Sequence, residues 1–418
     1  MLNKRIARLV MALLAVVTVA LLILAPTAPA AHKSAAAATI RIWTDKDRRA
    51  DVERIANAWA ASHGVQINVD EKGFGDIRDG LKTVQPERAP DVIVGAHDWT
   101  GQLAADGLVL PIFPKKSTLK QFPAYALRAF SYGTTSLRLY GAPVALENIG
   151  LVVNTRLAPV PKTWAQLEKN ALKFKAKGPN NLAIAVPQAP AGDAYHMYPF
   201  FSGLGGYVFG TTKRGTLSAS KVGVANPRFI RNAALIDKWN REGLINSKVN
   251  YDIAKNAFLK GQAAYWLTGP WESDTLKSSG LSFRIIQIPK IRYRAVPFLG
   301  VQGFMVTRFA DAHGVGSLAK DLVGSYMMTP NSQQALAAAN GRFPANLVAG
   351  RRVRDGVLAQ FGRAGRGGVP MPNIPQMSSV WEELGGAWLK ATKGAGATPA
   401  RTAFTTAASN IRRKIAGG

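Results

Sequence analysis

The spacing of apolar positions changes repeatedly along the chain, and each change predicts an element. Residues 39–43 (TIRIW) read as a buried strand, whereas over 49–62 Val52, Ile55, Ala56 and Trp59 recur at helical spacing. Residues 65–70 (VQINVD) return to a strand pattern, so strand, helix and strand joined by a crossover predict a parallel βαβ unit. A further buried strand follows at 90–96 (PDVIVGA), bounded by Pro90 and Gly95. The alternation continues with strand patterns at 149–154, 182–186, 263–269 and 283–289, and helical stretches at 163–176 and 228–242. With no short repeat and no long linker, the pattern predicts an α/β protein of two sheets joined by crossing segments. The tail over 385–418, rich in Ala, Gly and Thr, predicts helix only in part.

The first residues follow a different rule. Lys4, Arg5 and Arg8 precede a run over 9–25 that is apolar apart from Thr18, and Ala28-Pro29-Ala30 follows. Basic start, apolar centre and small-residue step predict a signal peptide over 1–38, secretion across the cytoplasmic membrane and a periplasmic or cell-surface body. The alternative is an uncleaved segment that anchors the chain, because the run lies at the lower edge of a spanning length.

Composition narrows the chemistry. A chain of 418 residues with 47% apolar content is long enough for two or three domains. Cysteine is absent, which excludes disulfides, thiolate metal sites, cysteine nucleophiles and a lipidated cysteine. The 53 Lys and Arg against 25 Asp and Glu give a net charge of +28, a balance that raises nucleic acid as a partner. Yet the cations are scattered, densest only at 351–354 and 412–414, and no nucleic-acid module is present, so no nucleic-acid partner is expected. A bias against surface carboxylates, suited to an acidic medium or to anionic envelope polymers, accounts for the balance better.

Catalytic patterns are missing. The five His, at 32, 63, 97, 196 and 313, form no HExxH pair, no GxSxG elbow occurs, and GTTKRGT at 210–216 lacks the lysine of a phosphate loop. No metal, nucleotide or other cofactor is expected, and the chain reads as a binding protein and not an enzyme. What stands out is a set of aromatic residues beside Gly, Pro and acids: Trp271 in 269–272 (GPWE), Trp381 after PNIPQMSSV, and Tyr195 and Tyr198 in a polar stretch read as a loop. A sugar ring offers apolar C–H faces and a rim of hydroxyls, so its site needs flat aromatic platforms edged by carboxylates and amides. Any single Trp is as readily a core residue.

The segments APVALENIGLVVN (142–154), PKTWAQL (161–167), GGYVF (205–209), DIAKNAFLKGQAA (252–264), GPW (269–271), PFLGVQGF (297–304) and MPNIPQMSSVW (371–381) together resemble the maltose/maltodextrin-binding proteins of ABC importers, among the extracellular solute-binding receptors. The resemblance runs from about residue 40 to the tail. It implies a two-lobed periplasmic-binding-protein fold, each lobe a mixed, mostly parallel sheet flanked by helices. The lobes are then 39–146 plus 300–348 and 147–299 plus 349–418, with a hinge of crossing segments near Leu146, Gly300 and Val348. It implies a monomer that captures maltose or maltooligosaccharides and delivers them to permease subunits.

Carried over by position, Asp45 and Lys46 resemble the early polar pair, Asp98 the carboxylate clamp, Glu147 the acidic contact on the first hinge strand, and Tyr195, Trp271 and Trp381 the aromatic platforms. Asp98 is also readable as a helix N-cap. The chain departs from the family pattern at Gly95, where a Trp is usual, and at Trp99, where an Arg is usual, so Trp99 is the expected replacement platform. Glu382 and Gly385 stand where a Tyr and an Arg are expected, and the loop 188–195 is longer and lacks the usual Glu. These departures leave trehalose or another di- or oligosaccharide as alternative ligands. Two other classes remain beside a receptor: a glycoside hydrolase using Asp98 and Glu147, and a basic protein that binds envelope polymers.

Overall fold

A computed structural model describes residues 37–133, 136–213 and 216–417. The compact unit begins at Thr39. The expected signal peptide, apart from Ala37 and Ala38, lies outside the described residues, as do 214 and 215 of the 210–216 segment. Among the described residues no helix is long and apolar enough to cross a membrane.

The strands of the first part are β1 (Thr39–Thr44), β2 (Gln66–Glu71), β3 (Val92–Ala96), the short pair β4 (Ser131–Tyr132) and β5 (Arg138–Leu139), and β6 (Ala142–Glu147). There follow β7 (Gly150–Asn154), the hairpin β8 (Phe209–Thr211) and β9 (Leu217–Val222), β10 (Tyr265–Thr268), β11 (Phe283–Ile286), β12 (Phe298–Val306), β13 (Phe343–Pro344) and β14 (Val369–Pro370). A seven-stranded sheet runs β13-β6-β12-β3-β1-β2, with β14 paired to β12, and a three-stranded sheet runs β10-β7-β11.

The βαβ pattern is realised: β1 pairs parallel with β2 and β3, and helix Arg49–Ala60 buries Val52, Ile55, Ala56 and Trp59. Elsewhere the sheets are less parallel than that unit suggests. β12 lies antiparallel to β3 and β6, and β7 lies antiparallel to β10 and β11. The cause is where each strand meets the crossing between the sheets. β1, β2 and β3 end at that crossing, whereas β12 starts there; β7 likewise starts there, and β10 ends just before Gly269-Pro270-Trp271. The strand expected at 182–186 is reduced to two parallel bridges, Leu182 to Ala263 and Ala185 to Trp266.

Of four buried apolar clusters among the described residues, the two largest flank the crossing. One packs Ile40, Ile42, Val92, Val94, Phe304 and Val306 under helix Arg49–Ala60. The other gathers Phe200, Phe201, Phe229, Trp239, Trp388 and Phe404, and it also contains Phe298 from the start of β12. One strand therefore begins in one core and ends in the other. The tail is helical in part, as its composition suggests: helix Ser378–Ala391 ends within it, and helix Ala400–Gly417 buries Ala400, Ala403, Phe404, Ala407, Ala408 and Ile411, one face at helical spacing. The stretch 228–242 forms two helices, Pro227–Asn232 and Ala234–Glu242. Tyr195 and Tyr198, expected in a loop, lie in helix Ala194–Gly203, because Asp193 caps it by accepting from the His196 N–H. Tyr198 is buried there, its ring stacked on Phe298 at 3.5 Å. Val348 belongs to helix Leu347–Arg352, so the chain at that position is helical and not a strand.

Candidate functional site

A cavity of about 960 Å³ lies where the strand ends meet, and Asp45, Lys46, Asp98, Trp99, Glu147, Tyr195, Trp271 and Trp381 all line it. Loops beyond the carboxyl ends of parallel strands supply one wall, the position where α/β sheets present ligand contacts. Asp45 and Lys46 follow β1, Phe74 lies beyond β2, and Asp98 and Trp99 follow β3. The opposite wall comes from Tyr195 and His196 on helix Ala194–Gly203, Trp271 after β10, and Trp381 on helix Ser378–Ala391.

On the first wall the charges form one buried chain. Arg48 donates from Nε to Asp45 Oδ2 at 2.9 Å and from Nη1 to Gln302 Oε1 at 2.9 Å. Gln302 Nε2 donates to Glu147 Oε1 at 2.7 Å, and Arg342 Nε donates to Glu147 Oε2 at 2.9 Å. The Gln302 amide is thereby oriented, its oxygen toward a cation and its nitrogen toward an anion. Burial opposes ionisation of Asp45, but the Arg48 guanidinium outweighs it and holds that carboxyl below the usual range. Asp45 Oδ1 stays buried without a hydrogen-bond partner among the described residues, while Lys46 presents an exposed side chain.

Asp98 behaves differently. Burial raises its pKa, against the pull of His97 and of the Trp381 indole N–H, which donates to Oδ2 at 3.0 Å. No side chain caps either adjoining helical segment, so Asp98 is not an N-cap; its carboxylate meets the Trp381 indole and the Asp98 backbone N–H. His97 is fixed beside it. Its Nδ1 accepts from the Val301 N–H at 3.1 Å, which leaves the hydrogen on Nε2 to donate to the Met371 carbonyl at 3.1 Å. Burial lowers the pKa of this imidazole.

The departures at Gly95 and Trp99 are a matched pair. A Cβ on residue 95 would sit 1.9 Å from Trp99 Cζ3, so the indole occupies the space that any side chain at 95 needs. Trp99 also lies 4.9 Å from the ring of Phe74, which is 41% exposed. Gly95→Ala is expected to cost about 1–3 kcal/mol by overpacking. Adding Trp99→Ala should recover most of that loss, read as coupling in a urea-unfolding double-mutant cycle; strictly additive effects would show that the two positions are independent. Gly385 has a similar origin. Gly192, at φ +90, approaches it so closely that a Cβ on Gly192 would lie 2.2 Å from the Gly385 carbonyl carbon. An arginine at 385 is incompatible with that loop path.

On the second wall Trp271 Nε1 donates to the Tyr251 hydroxyl, which donates to Glu272 Oε1 at 2.6 Å, and Lys255 pairs with Glu272 at 2.9 Å. Tyr195 lies 6.3 Å from Trp271, and Trp381 meets Phe298 edge-on at 5.8 Å. Burial, reinforced by the Glu147 charge, pushes the Tyr195 hydroxyl well above its ordinary pKa, and that hydroxyl has no hydrogen-bond partner among the described residues.

Arg48, Gln302, Arg342, Phe74, Asp193 and His196 also line or brace this cavity and were not singled out from the sequence. Phe74 carried a readable signal, an aromatic between Gly73 and Gly75 in the manner of Trp271 beside Gly269. The others are ordinary polar residues whose partners are distant in sequence.

Fold and cavity together define an α/β binding protein with aromatic and acidic walls. The profile of the bacterial extracellular solute-binding protein family matches residues 54–353, and the chain belongs to that family. It is 25% identical over 371 residues to a galactooligosaccharide-binding protein of Bacillus subtilis, covering 84% of each chain. It is 26% identical over 349 residues to a maltodextrin-binding protein of the same organism, covering 79% of each. It is 25% identical over 410 residues to a maltooligosaccharide ABC transporter solute-binding lipoprotein of Streptococcus pneumoniae, covering 93% of this chain and 91% of the relative.

Proposed function

We propose that this chain captures oligosaccharides of the maltodextrin type outside the cytoplasmic membrane and delivers them to the permease of an ABC importer. The observation that carries the reading is the lining of one cavity: three indoles and two phenol rings line it together with buried polar atoms, Asp45 Oδ1 and the Tyr195 hydroxyl, that lack hydrogen-bond partners among the described residues. Such atoms favour a ligand rich in hydroxyls, and the aromatic faces favour one with apolar C–H surfaces. The names of the relatives support sugars as the class, with galactooligosaccharides beside maltodextrins.

In this reading the lobes are 39–146 plus 300–348 and 147–299 plus 349–418, moving about the segments near Leu146, Gly300 and Val348. Ligand binds the closed arrangement better and shifts the population toward it, which presents the permease with a recognisable face.

The test is a thermal-shift panel of maltose, maltotriose, trehalose and a galactotriose. Maltotriose is expected to give the largest rise, since a ligand at a hundred times its Kd stabilises the folded state by about 2.7 kcal/mol. Little dependence on added salt is expected, in contrast to the steep loss of a charge-driven polymer binder. Chromatography of the same mixtures should recover the sugars unchanged, where a hydrolase would release shorter products. If no sugar raises the melting temperature, the reading fails.

A further inference from the structure

We propose that Nε2 of His196, held by Asp193, is a ligand contact that reads one sugar hydroxyl. This rests on the oligosaccharide reading above. One carboxylate does two things here. Asp193 Oδ1 accepts from the His196 backbone N–H at 2.9 Å, which starts helix Ala194–Gly203, and Oδ2 meets the His196 ring Nδ1 at 2.6 Å. Burial opposes ionisation of Asp193, yet the adjacent imidazole and the hydrogen bonds hold its pKa below the usual range. An ionised carboxylate only accepts, so Nδ1 carries the hydrogen and Nε2 is the remaining functional atom.

The position of that atom matters. His196 is 6% exposed, lines the cavity, and its Nε2 is buried with no hydrogen-bond partner among the described residues. Tyr195, Tyr251 and Trp271 surround the ring at centroid distances of 5.7, 6.3 and 5.8 Å, all steeply inclined to it. These rings fix the imidazole plane without supplying Nε2 a partner. A ring so firmly oriented, with one nitrogen anchored and the other unpaired, is preorganised to pair Nε2 with a sugar hydroxyl. A polar contact of this kind discriminates between sugars that differ at one hydroxyl, because the wrong epimer leaves the buried nitrogen unpaired. The aromatic faces, by contrast, accept any pyranose.

The experiment uses the whole protein, maltotriose as probe, titration calorimetry and the imidazole 15N spectrum. His196→Phe keeps the ring and removes Nε2; it is expected to weaken binding about tenfold, the worth of one buried hydrogen bond. His196→Gln, whose amide reaches near the Nε2 position, is expected to stay within about threefold of the parent. In the parent, the Nε2 resonance of His196 should move on saturation. Unchanged affinity in His196→Phe, or an unmoved resonance, overturns the proposal while leaving sugar capture intact. Should His196→Phe fail to fold, His196→Gln and the parent resonance decide the matter. If the parent binds none of the panel sugars, both readings fall together.

Discussion

Glu147→Ala is expected to lower the stability of the folded chain by about 3–5 kcal/mol, the cost of removing one member of a buried ion pair. Glu147 and Arg342 are 8% and 7% exposed, and their ion pair is closed by the 2.9 Å bond from Nε. Burial would depress the Arg342 pKa, but Glu147, helped by Asp45, raises it above its ordinary value. Gln302 would lose its acceptor at the same time, and through it the chain to Arg48 and Asp45 would be broken. The measurement is the urea midpoint at constant slope. The double variant Glu147→Leu with Arg342→Leu is expected to recover much of the loss, because an apolar pair of similar volume is often as stable as the ion pair it replaces. A single-variant loss below about 1 kcal/mol would mean that the pair is hydrated and contributes as a surface bridge does.

Trp381→Ala is expected to weaken maltotriose binding about a hundredfold, through loss of both a stacking face and a polar anchor. The indole lines the cavity and its N–H meets Asp98 Oδ2 at 3.0 Å. Without that donor, a buried carboxylate whose pKa is already raised loses one of the contacts that favour its ionised form. Trp381→Phe separates the two contributions, since it keeps a face and removes the donor; about tenfold is expected. Folding should survive either change, because the core face of helix Ser378–Ala391 is made by Val380, Leu384 and Trp388. Calorimetric titration is the readout, and a Trp381→Ala variant that binds like the parent would remove this indole from the site.

What was legible in the sequence follows from how far each signal reaches. Val52, Ile55, Ala56 and Trp59 declare a helix within three turns, and their burial follows that spacing. Helix Ala400–Gly417 buries its face mostly with alanine, which a hydrophobic pattern barely registers. Tyr195 and Tyr198 sit between Asp193 and Pro199, residues that suggest a loop, yet Asp193 is a cap and Pro199 is accommodated inside the helix. At the site, Trp271 and Trp381 were visible as aromatics in polar surroundings, while Asp45, Lys46, Asp98 and Glu147 came only through family resemblance. Arg48 and Gln302, or Glu147 and Arg342, meet across the whole fold; no local pattern marks such pairs. Trp99 was foreseen at the cavity, but its seat over Gly95 needed three dimensions.

Strand β12 has a consequence for how the chain comes into being. It fills the middle of the larger sheet, between β3 and β6, although most of that sheet's other residues precede it in sequence by a long interval. During synthesis the first part therefore waits with its central place empty until Val306 has emerged, and pairings of such high sequence separation form slowly. An emerging chain held back in this way stays open longer than one built from successive complete domains, and is correspondingly exposed to chaperones and to aggregation in that interval.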